Sequence, residues 1–351
     1  MSTLVLGIET SCDDTACALV SGEGEVLSSV VSSQLAAHRP FGGVVPEIAS
    51  RQHLANWPAV SAEALERGQA TLDDVDVVAA TVGPGLVGAL LVGLSLGKAI
   101  AWGRELPFHA VHHLEGHLFS PFLRPAGEVA ATPPERFVGL VVSGGHTSIY
   151  EVGGETVSTM AETRDDAMGE VFDKVGKRLG LPYPQGPVVD RLAEDGDAGA
   201  VPLAVARCRD GSLDFSYSGL KTQTLLEVER LEAAGCDLPL TEEGAPAAVR
   251  DLLASFRAAA VEQLVDRLVR FHDAKPFELL AVSGGVAANR LLRRRLPDWA
   301  AERDVALALV PLEYSGDNAA MIAHAALRRQ RLGLSDDLLA AEAVSRMRLG
   351  S

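Results

Sequence analysis

The sequence has few cysteines, and their positions exclude two common kinds of small-domain architecture. Four are present, Cys12, Cys17, Cys208 and Cys236, and no two of them form a Cys-x-x-Cys pair. A zinc knuckle or a disulfide framework is therefore not expected, and reduced thiols are the simpler interpretation. The first residues also lack the basic segment and long apolar stretch of a signal peptide, so we predict a cytoplasmic protein.

Basic charge is also scarce. The 351 residues include 47 Asp and Glu against 31 Lys and Arg, which gives a formal net charge of -16. An acidic surface keeps a protein soluble but repels the phosphates of nucleic acids. A nucleic-acid substrate would therefore need a local basic patch or a partner protein. The 47% hydrophobic content is that of a globular chain, and its length suggests two domains.

No uninterrupted apolar run indicates a membrane span. The most apolar stretch, residues 82–101, is broken by several glycines, a proline and Lys98. We predict that it forms a turn followed by a buried helix, and that the protein does not associate with a membrane.

The two commonest nucleotide-binding signatures, GxxxxGK[ST] and a GxGxxG after the first strand, are absent. A different pattern occurs twice. Residues 4–8 and 137–142 are strand-like, and each run is followed by a polar or glycine-rich turn and a return strand. Strands and helices alternate elsewhere. The pattern predicts an α/β fold with two related halves, each beginning with a turn suited to phosphate.

The run His112-His113-Leu114-Glu115-Gly116-His117 contains two histidines four residues apart. On a helix, His113 and His117 share a face and can bind one metal ion, although most such pairs are ordinary surface or core residues. The zincin protease motif HExxH is not present, because Leu114 follows the first histidine. Asp317 is the best candidate for a third ligand, but N-capping of a helix over residues 318–330 would also explain it.

Ser-Gly-Gly follows a predicted strand at residues 143–145 and again at 283–285. Glycine lets the backbone approach a phosphate closely, and its N–H groups can then bind the anion, although tight turns use the same residues. An acidic group at residues 165–173 suits ribose hydroxyls or a cation, but it equally suits a solvated helix face paired with lysines.

Together these segments closely resemble the TsaD family, also called YgjD, Gcp or OSGEP. Nine short motifs occur in the family's order from residue 4 to about residue 330. They are residues 7–13, 42–47, 83–86, 112–117, 142–147, 170–174, 215–222, 283–290 and 317–320.

The resemblance implies an actin-like (ASKHA) ATPase fold, with two related βα domains and an interdomain nucleotide cleft. We expect an N-terminal lobe of residues 1–130, a C-terminal lobe of 131–330 and a tail of 331–351. The implied activity is an acyl transfer in tRNA modification. The threonylcarbamoyl group of threonylcarbamoyl-AMP moves to the N6 amine of the adenosine 3′ of the anticodon, in tRNAs reading codons that begin with A.

The resemblance also implies site residues, cofactors and partners. His113, His117 and Asp317 would hold one divalent metal, usually assigned as iron, with zinc or magnesium as alternatives. Asp13 is a candidate general base, with a water molecule as the alternative. Nucleotide contacts are expected from Val141, Val142, Ser143, Gly144, Gly145, Asp173, Gly186, Asp190 and Asn289. The implied partners are tRNA, the bacterial proteins TsaB and TsaE, and a TsaC-type enzyme that supplies the adenylate.

Two positions depart from the family pattern. Asp14 stands where many members have glutamate, and Gln185 interrupts the usual Pro-Gly-Gly-Pro. Both changes are expected to alter local substrate contacts. Three alternative functions are disfavoured. A metalloprotease of the zincin type needs HExxH, a non-catalytic paralogue that dimerises with the catalytic subunit typically lacks the histidine pair, and the proposed metal ligands are foreign to a sugar or acetate kinase of the same fold.

Overall fold

The computed structural model describes residues 3–125, 127–128, 132–208, 210–240 and 244–350. The chain forms two compact units. The first comprises Met1–Glu135, Gly153–Val157 and Leu309–Ser351, and the second comprises Arg136–Val152 and Ser158–Ala308. The sequence predicts a different division, into lobes of residues 1–130 and 131–330 and a tail of 331–351. That division stays a prediction.

Strands and helices alternate along the chain, as predicted. The strands are β1 (Leu4–Glu9), β2 (Asp14–Ser21), β3 (Val26–Ser33), β4 (Val77–Gly83), β5 (Phe108–His112), β6 (Arg136–Val142), β7 (Thr147–Gly153), β8 (Thr156–Glu162), β9 (Leu279–Ser283) and β10 (Ala306–Leu309). The α-helices are α1 (Leu35–His38), α2 (Pro46–Arg67), α3 (Val87–Arg104), α4 (His113–Phe119), α5 (Met168–Arg178), α6 (Gln185–Leu192), α7 (Ser218–Ala233), α8 (Ala247–Ala274), α9 (Arg290–Glu302) and α10 (Ala319–Arg331).

The strands form two five-stranded sheets with the same connectivity. The first has the order β3-β2-β1-β4-β5, and the second has the order β8-β7-β6-β9-β10. In the first, β1 pairs antiparallel with β2 and parallel with β4, while in the second β6 pairs parallel with β9. Each half therefore begins with a strand that lies at the centre of its sheet. The predicted internal repeat is confirmed.

Helix α10 begins directly on top of β1. A Cβ atom added at Gly7 would lie 2.3 Å from the carbonyl oxygen of Ala319, so only glycine permits this approach. The remaining residues of β1 are buried apolar side chains, apart from Glu9 at its end. The contact holds the start of α10, and with it Asp317 two residues earlier, against the first sheet.

Helix α3 occupies most of the apolar stretch at residues 82–101. Within the described parts of the chain it is the one helix that is long and apolar enough to cross a membrane by length and composition alone. Its glycine face packs on the first sheet: a Cβ at Gly93 would meet Thr10, and one at Gly97 would meet Ala80 and Phe108. The expected helix is present, with this face buried.

His324 in α10 makes the stability of the protein depend on pH. Its side chain is buried, and burial lowers its pKa to about 4, below the value near 6.5 of an unfolded chain. Between these values the unfolded state binds more protons, so the free energy of unfolding falls as the pH falls, by up to about 1.4 kcal/mol per pH unit. We expect His324→Leu to reduce the slope of the unfolding free energy against pH. The reduction, measured by urea unfolding between pH 7 and 5, should correspond to the uptake of about one proton. An unchanged slope would contradict the assignment.

Candidate metal centre and nucleotide site

Helix α4 begins at His113 and carries both predicted histidine ligands. His113 and His117 are buried, and their rings lie edge to face with centroids 4.7 Å apart. The Nε2 atom of His117 lies 3.1 Å from Oδ1 of Asp317, and Nε2 of His113 lies 3.6 Å from the same oxygen. Two histidines from one helical turn and an aspartate 200 residues after His117 thus meet at one point.

Asp317 does not cap α10, so the expectation that it N-caps a helix from residue 318 is wrong. Asn318 is the N-cap, and its Oδ1 accepts a hydrogen bond from the backbone N–H of Met321 at 2.9 Å. Its Nδ2 donates to the carbonyls of Tyr314 and Gly316. Adjacent Asp and Asn are both good capping residues, and the asparagine takes the role. The carboxylate of Asp317 faces the histidines instead.

Glu9 supports His113 from the opposite side. This fully buried carboxylate lies at the end of β1, and its Oε2 is 3.0 Å from Nδ1 of His113. The hydroxyl of Thr81 donates to the same oxygen at 2.6 Å, and the backbone N–H of Ser11 donates to Oε1. Because the Nδ1 proton of His113 points at Glu9, the lone pair on its Nε2 faces Asp317. A carboxylate–histidine pair of this kind usually orients a metal ligand.

The electrostatics of this group favour a cation. Burial acts to lower the pKa of His113, but the carboxylates of Asp317 and Glu9 outweigh it and raise that pKa to about 9. Asp14 has a pKa raised to about 7, first by burial and then by the charge of Asp317. Carboxylates that destabilise one another's ionised form are stabilised by a positive ion among them.

The residues fit a divalent transition metal. The candidate ligand atoms of His113, His117 and Asp317 all lie within 4.8 Å of one another. Metal–ligand bonds of about 2.1 Å would place adjacent ligand atoms about 3.0–3.4 Å apart, close to the 3.1 and 3.6 Å between Oδ1 of Asp317 and the two histidine nitrogens. Two imidazoles and one carboxylate are a set that suits iron or zinc and leaves coordination positions for other ligands.

Glu115, the acidic residue of the histidine motif, has a structural role. Its buried carboxylate lies 3.3 Å from Nη1 of Arg328 and 3.3 Å from Nη1 of Arg329, both in α10. These ion pairs join α4 to α10, so they join the helix that carries the two candidate histidine ligands to the helix that follows Asp317. A carboxylate held between two guanidinium groups in the protein interior does not fit the general base of a zincin protease.

The predicted nucleoside residues lie together in the second unit. A cavity of about 230 Å³ is lined by Gly186, Asp190 and Asn289, together with Phe172 and Gly285. It is smaller than the roughly 300–1,000 Å³ of sites that bury a whole drug-sized ligand, so it suits one part of a substrate, such as a nucleoside. A larger cavity of about 730 Å³, between α2 and α3, has a mainly apolar lining and contains none of the predicted site residues.

Asp190 organises this cavity. Its Oδ1 accepts hydrogen bonds from Nδ2 of Asn289 at 2.8 Å and from Nη1 of the buried Arg257 at 3.1 Å. Its Oδ2 accepts from the backbone N–H of Arg290, which begins α9. The half-buried Asp173 accepts from the backbone N–H of Gly186 at 2.8 Å. Both acids therefore hold the wall of the cavity together.

The predicted phosphate turn follows β6. Val141 and Val142 are buried in that strand, and Ser143 closes the turn by accepting from the backbone N–H of His146 through Oγ. Gly144 and Gly145 are exposed, and a Cβ added at either would meet nothing within 4 Å. The turn thus presents bare backbone to solvent, as an anion site requires.

The comparison that decides the family covers most of the chain. The model of TsaD, described as tRNA N6-adenosine threonylcarbamoyltransferase, matches residues 25–324. The chain belongs to the TsaD family. The curated tRNA N6-adenosine threonylcarbamoyltransferase of Geobacter sulfurreducens is 49% identical over 323 residues, 91% of this chain and 90% of that protein. The protein of that name from Sorangium cellulosum is 46% identical, over 95% and 94% of the two chains.

Two solved structures have folds similar to that of this chain and support the fold that the sequence predicts. HypF from T. kodakarensis has a TM-score of 0.62 at 14% identity, over 98% of this chain and 49% of that one. Component A of (R)-2-hydroxyglutaryl-CoA dehydratase from Acidaminococcus fermentans has a TM-score of 0.51 at 15% identity, over 94% and 99%. The predictions of TsaD membership, transferase class and actin-like fold are confirmed.

The two departures from the TsaD pattern differ in their surroundings. Gln185 is buried. Its Cβ lies 2.5 Å from the position that a Cβ added at Gly176 would occupy. Gln185 thus packs against α5, and it is not among the residues that line the cavity. Asp14 begins β2 and carries the raised pKa described above, so its carboxyl belongs to the acidic surroundings of Asp317.

The remaining predicted acids are Asp13 and the acidic run at residues 165–173. Asp13 is half-buried in the turn between β1 and β2, where its carbonyl accepts from the backbone N–H of Gln34, and its role as a base stays a prediction. Asp165 accepts from the hydroxyls of Ser216 and Ser218 at the start of α7. Asp166 pairs with Lys174. Two acids of the run at residues 165–173 therefore make hydrogen bonds and ion pairs within the protein, as expected if the run is structural.

Sequence reasoning missed Glu9, Thr81 and Arg257. The signal for Glu9 was a carboxylate that directly follows an apolar strand, which is a costly residue to bury without a partner. Its partner His113 is 104 residues away, so the pair could not be identified without the fold. Arg257 lies inside the long helix α8 and has no local motif.

Replacing Glu9 with glutamine should weaken metal binding about 10- to 100-fold. Glutamine keeps the shape but not the charge that aligns His113, and loss of such an outer carboxylate usually has an effect of this size. Titration of purified protein with Co²⁺, followed by its visible absorption, would measure it. Thr81→Val, which removes only the bond to Oε2 of Glu9, should have a smaller effect. Equal affinities of wild type and Glu9→Gln would refute the role.

Proposed function

We propose that this protein transfers a threonylcarbamoyl group from threonylcarbamoyl-AMP to the N6 amine of the adenosine 3′ of the anticodon, with a divalent metal held by His113, His117 and Asp317. The observation that carries the proposal is the convergence of these three side chains, with Glu9 behind them, in a chain of the TsaD family. The target tRNAs would be those that read codons beginning with A.

The first unit of the protein would hold and orient the metal. His113 and His117 would bind through Nε2 and Asp317 through Oδ1, while Glu9 holds the Nδ1 proton of His113. A bound divalent ion would supply Lewis-acid stabilisation of negative charge on oxygens of the acyl-adenylate. Iron is the ion that we favour, since the two-histidine, one-carboxylate set suits it.

The second unit would bind the adenylate. Asp190, Asn289 and Gly186 would contact the ribose and adenine in the small cavity, and Ser143, Gly144 and Gly145 would offer backbone N–H groups to the phosphate. The N6 amine of adenosine is a weak nucleophile, because its lone pair is delocalised into the purine. Correct placement of the two substrates would therefore supply a large share of the rate.

Partner proteins are part of the proposal. The net charge of -16 opposes binding of tRNA by the isolated chain. We therefore expect TsaB and TsaE in the active complex and a TsaC-type enzyme as the source of the adenylate, in the cytoplasm. A tight, salt-resistant complex between the isolated chain and tRNA would count against the need for partners.

Mass spectrometry of tRNA nucleosides tests the proposal in cells. Depletion of this protein should remove threonylcarbamoyladenosine from tRNA, wild type should restore it, and His113→Ala should not. Arg303→Ala, a change at the residue that follows α9, serves as the control and should restore the nucleoside fully. Restoration by His113→Ala would rule out the metal-assisted mechanism. An unchanged nucleoside after depletion would rule out the activity.

A further inference from the structure

The C-terminal segment of the first unit, residues 335–350, is called the C-terminal strap. Its backbone joins the end of β4: the N–H of Val344 donates to the carbonyl of Val82 at 2.8 Å. A Cβ added at Gly83 would lie 2.3 Å from the carbonyl oxygen of Val344, so the approach is close. The apolar side chains of the strap pack against the core of the unit, and they are Leu338, Ala341 and Ala343.

The strap reaches the residue that precedes the first metal ligand. Nε2 of His112 lies 3.1 Å from the carbonyl oxygen of Met347. Nδ1 of the same ring accepts the backbone N–H of Leu114 at 3.1 Å and so caps α4. Because Nδ1 accepts, the proton of the neutral ring is on Nε2, where it donates to Met347. One buried imidazole thus bridges the strap and the first turn of α4.

A second chain of contacts joins the strap to the same helix. Asp336 accepts from Arg329 at 2.9 Å and from the backbone N–H of Ala110 at 3.0 Å. Arg329 also contacts Glu115 in α4. The strap is fixed in between by Lys98, whose Nζ donates to the carbonyl of Ala341 at 2.6 Å.

These contacts matter because α4 is short. A helix of seven residues is not stable by itself, so caps and tertiary contacts decide where its side chains lie. We propose that His112 is a positioning residue, and that the C-terminal strap, through the Met347 carbonyl, holds α4 so that His113 and His117 meet Asp317. The inference rests on the metal centre proposed above, and it assigns to the strap a part in building that centre.

Two substitutions of His112 separate the cap from the bridge. Asparagine at this position can still accept the N–H of Leu114, since it is among the best N-cap residues, but it is too short to bridge to Met347. Alanine loses both contacts. A chain that ends at Arg346 removes the acceptor and leaves His112 in place, and a chain that ends at Arg348 keeps the acceptor and is the matched control.

The measurement is Co²⁺ affinity, read from the visible absorption of the ion bound to the full chain or to each variant. His112→Asn and the chain ending at Arg346 should each bind about five- to tenfold more weakly, and their combination should be no weaker than either alone. His112→Ala should bind more weakly than His112→Asn. The chain ending at Arg348 should bind as wild type does, with an unchanged Co²⁺ spectrum.

Wild-type affinity in His112→Asn and in the chain ending at Arg346 would overturn the proposal, as would losses that simply add in the combination. Failure of the wild type to bind Co²⁺ would instead reject the metal centre. Hydrogen exchange of the Leu114 amide then decides the positioning claim by itself. Faster exchange in the chain ending at Arg346 supports it, and exchange equal to that of the control chain rejects it.

Discussion

Asp317→Ala should reduce threonylcarbamoyl transfer about a thousandfold while the protein stays folded. The substitution removes the single carboxylate of the proposed ligand set, and stabilisation of developing charge by a metal is commonly worth several kcal/mol. Folding should be preserved because Asn318, and not Asp317, caps α10. The activity should be measured with saturating threonylcarbamoyl-AMP, tRNA and the partner proteins.

A nearby carboxylate provides the control for this experiment. Glu313 is an exposed residue four positions before Asp317, so Glu313→Gln changes the local charge without touching the ligand set. Its activity should match that of the wild type. The account fails if Asp317→Ala retains more than about a tenth of the wild-type rate at an unchanged melting temperature, because the carboxylate would then be dispensable.

Asp190→Ala should both destabilise the protein and abolish nucleotide binding. The substitution leaves the buried guanidinium of Arg257 without its partner in α6, and removal of one member of a buried pair typically costs about 3–5 kcal/mol. Arg257 keeps its contact with the half-buried Glu194 and its hydrogen bonds to the carbonyls of residues 190 and 193, which should keep the loss toward the lower end of this range. Denaturant unfolding measures the stability, and equilibrium binding of an adenine nucleotide measures the second effect.

The double variant Asp190→Ala/Arg257→Met separates the two effects. With both charges gone, the site no longer contains a buried cation that has lost one of its two carboxylate partners, so most of the stability should return. Nucleotide binding should stay lost, because Asn289 and the N–H of Arg290 still lack their acceptor. Recovery of nucleotide affinity together with stability would show that Asp190 acts only on folding.

Much of the architecture was predictable because it follows from local patterns. The strand, hairpin and strand at residues 4–20 and 137–152 predicted the repeat that the two sheets display. His113 and His117 could be paired from their spacing, since one helical turn places them on one face. Gly186, Asp190 and Asn289 were assigned by family resemblance, and the structure brings them to one cavity.

The rest depended on contacts between residues far apart in sequence. Glu9 at the end of β1 meets His113 at the start of α4 only in the folded chain, and no spacing rule links them. The choice between Asp317 and Asn318 as the cap could not be made from composition, because both residues suit that position. The segment after residue 333 carries no motif, and its contacts with β4 and His112 are made largely by backbone atoms, whose partners leave little trace in a sequence.

The most direct test of the account is transfer activity as a function of metal content. Protein stripped of metal by a chelator, assayed with its partners, threonylcarbamoyl-AMP and tRNA, should be inactive and should recover in proportion to added Fe²⁺ up to one equivalent per chain. Asp317→Ala should show no such recovery. Full transfer by metal-free wild type would contradict the claim that His113, His117 and Asp317 form a catalytic metal centre.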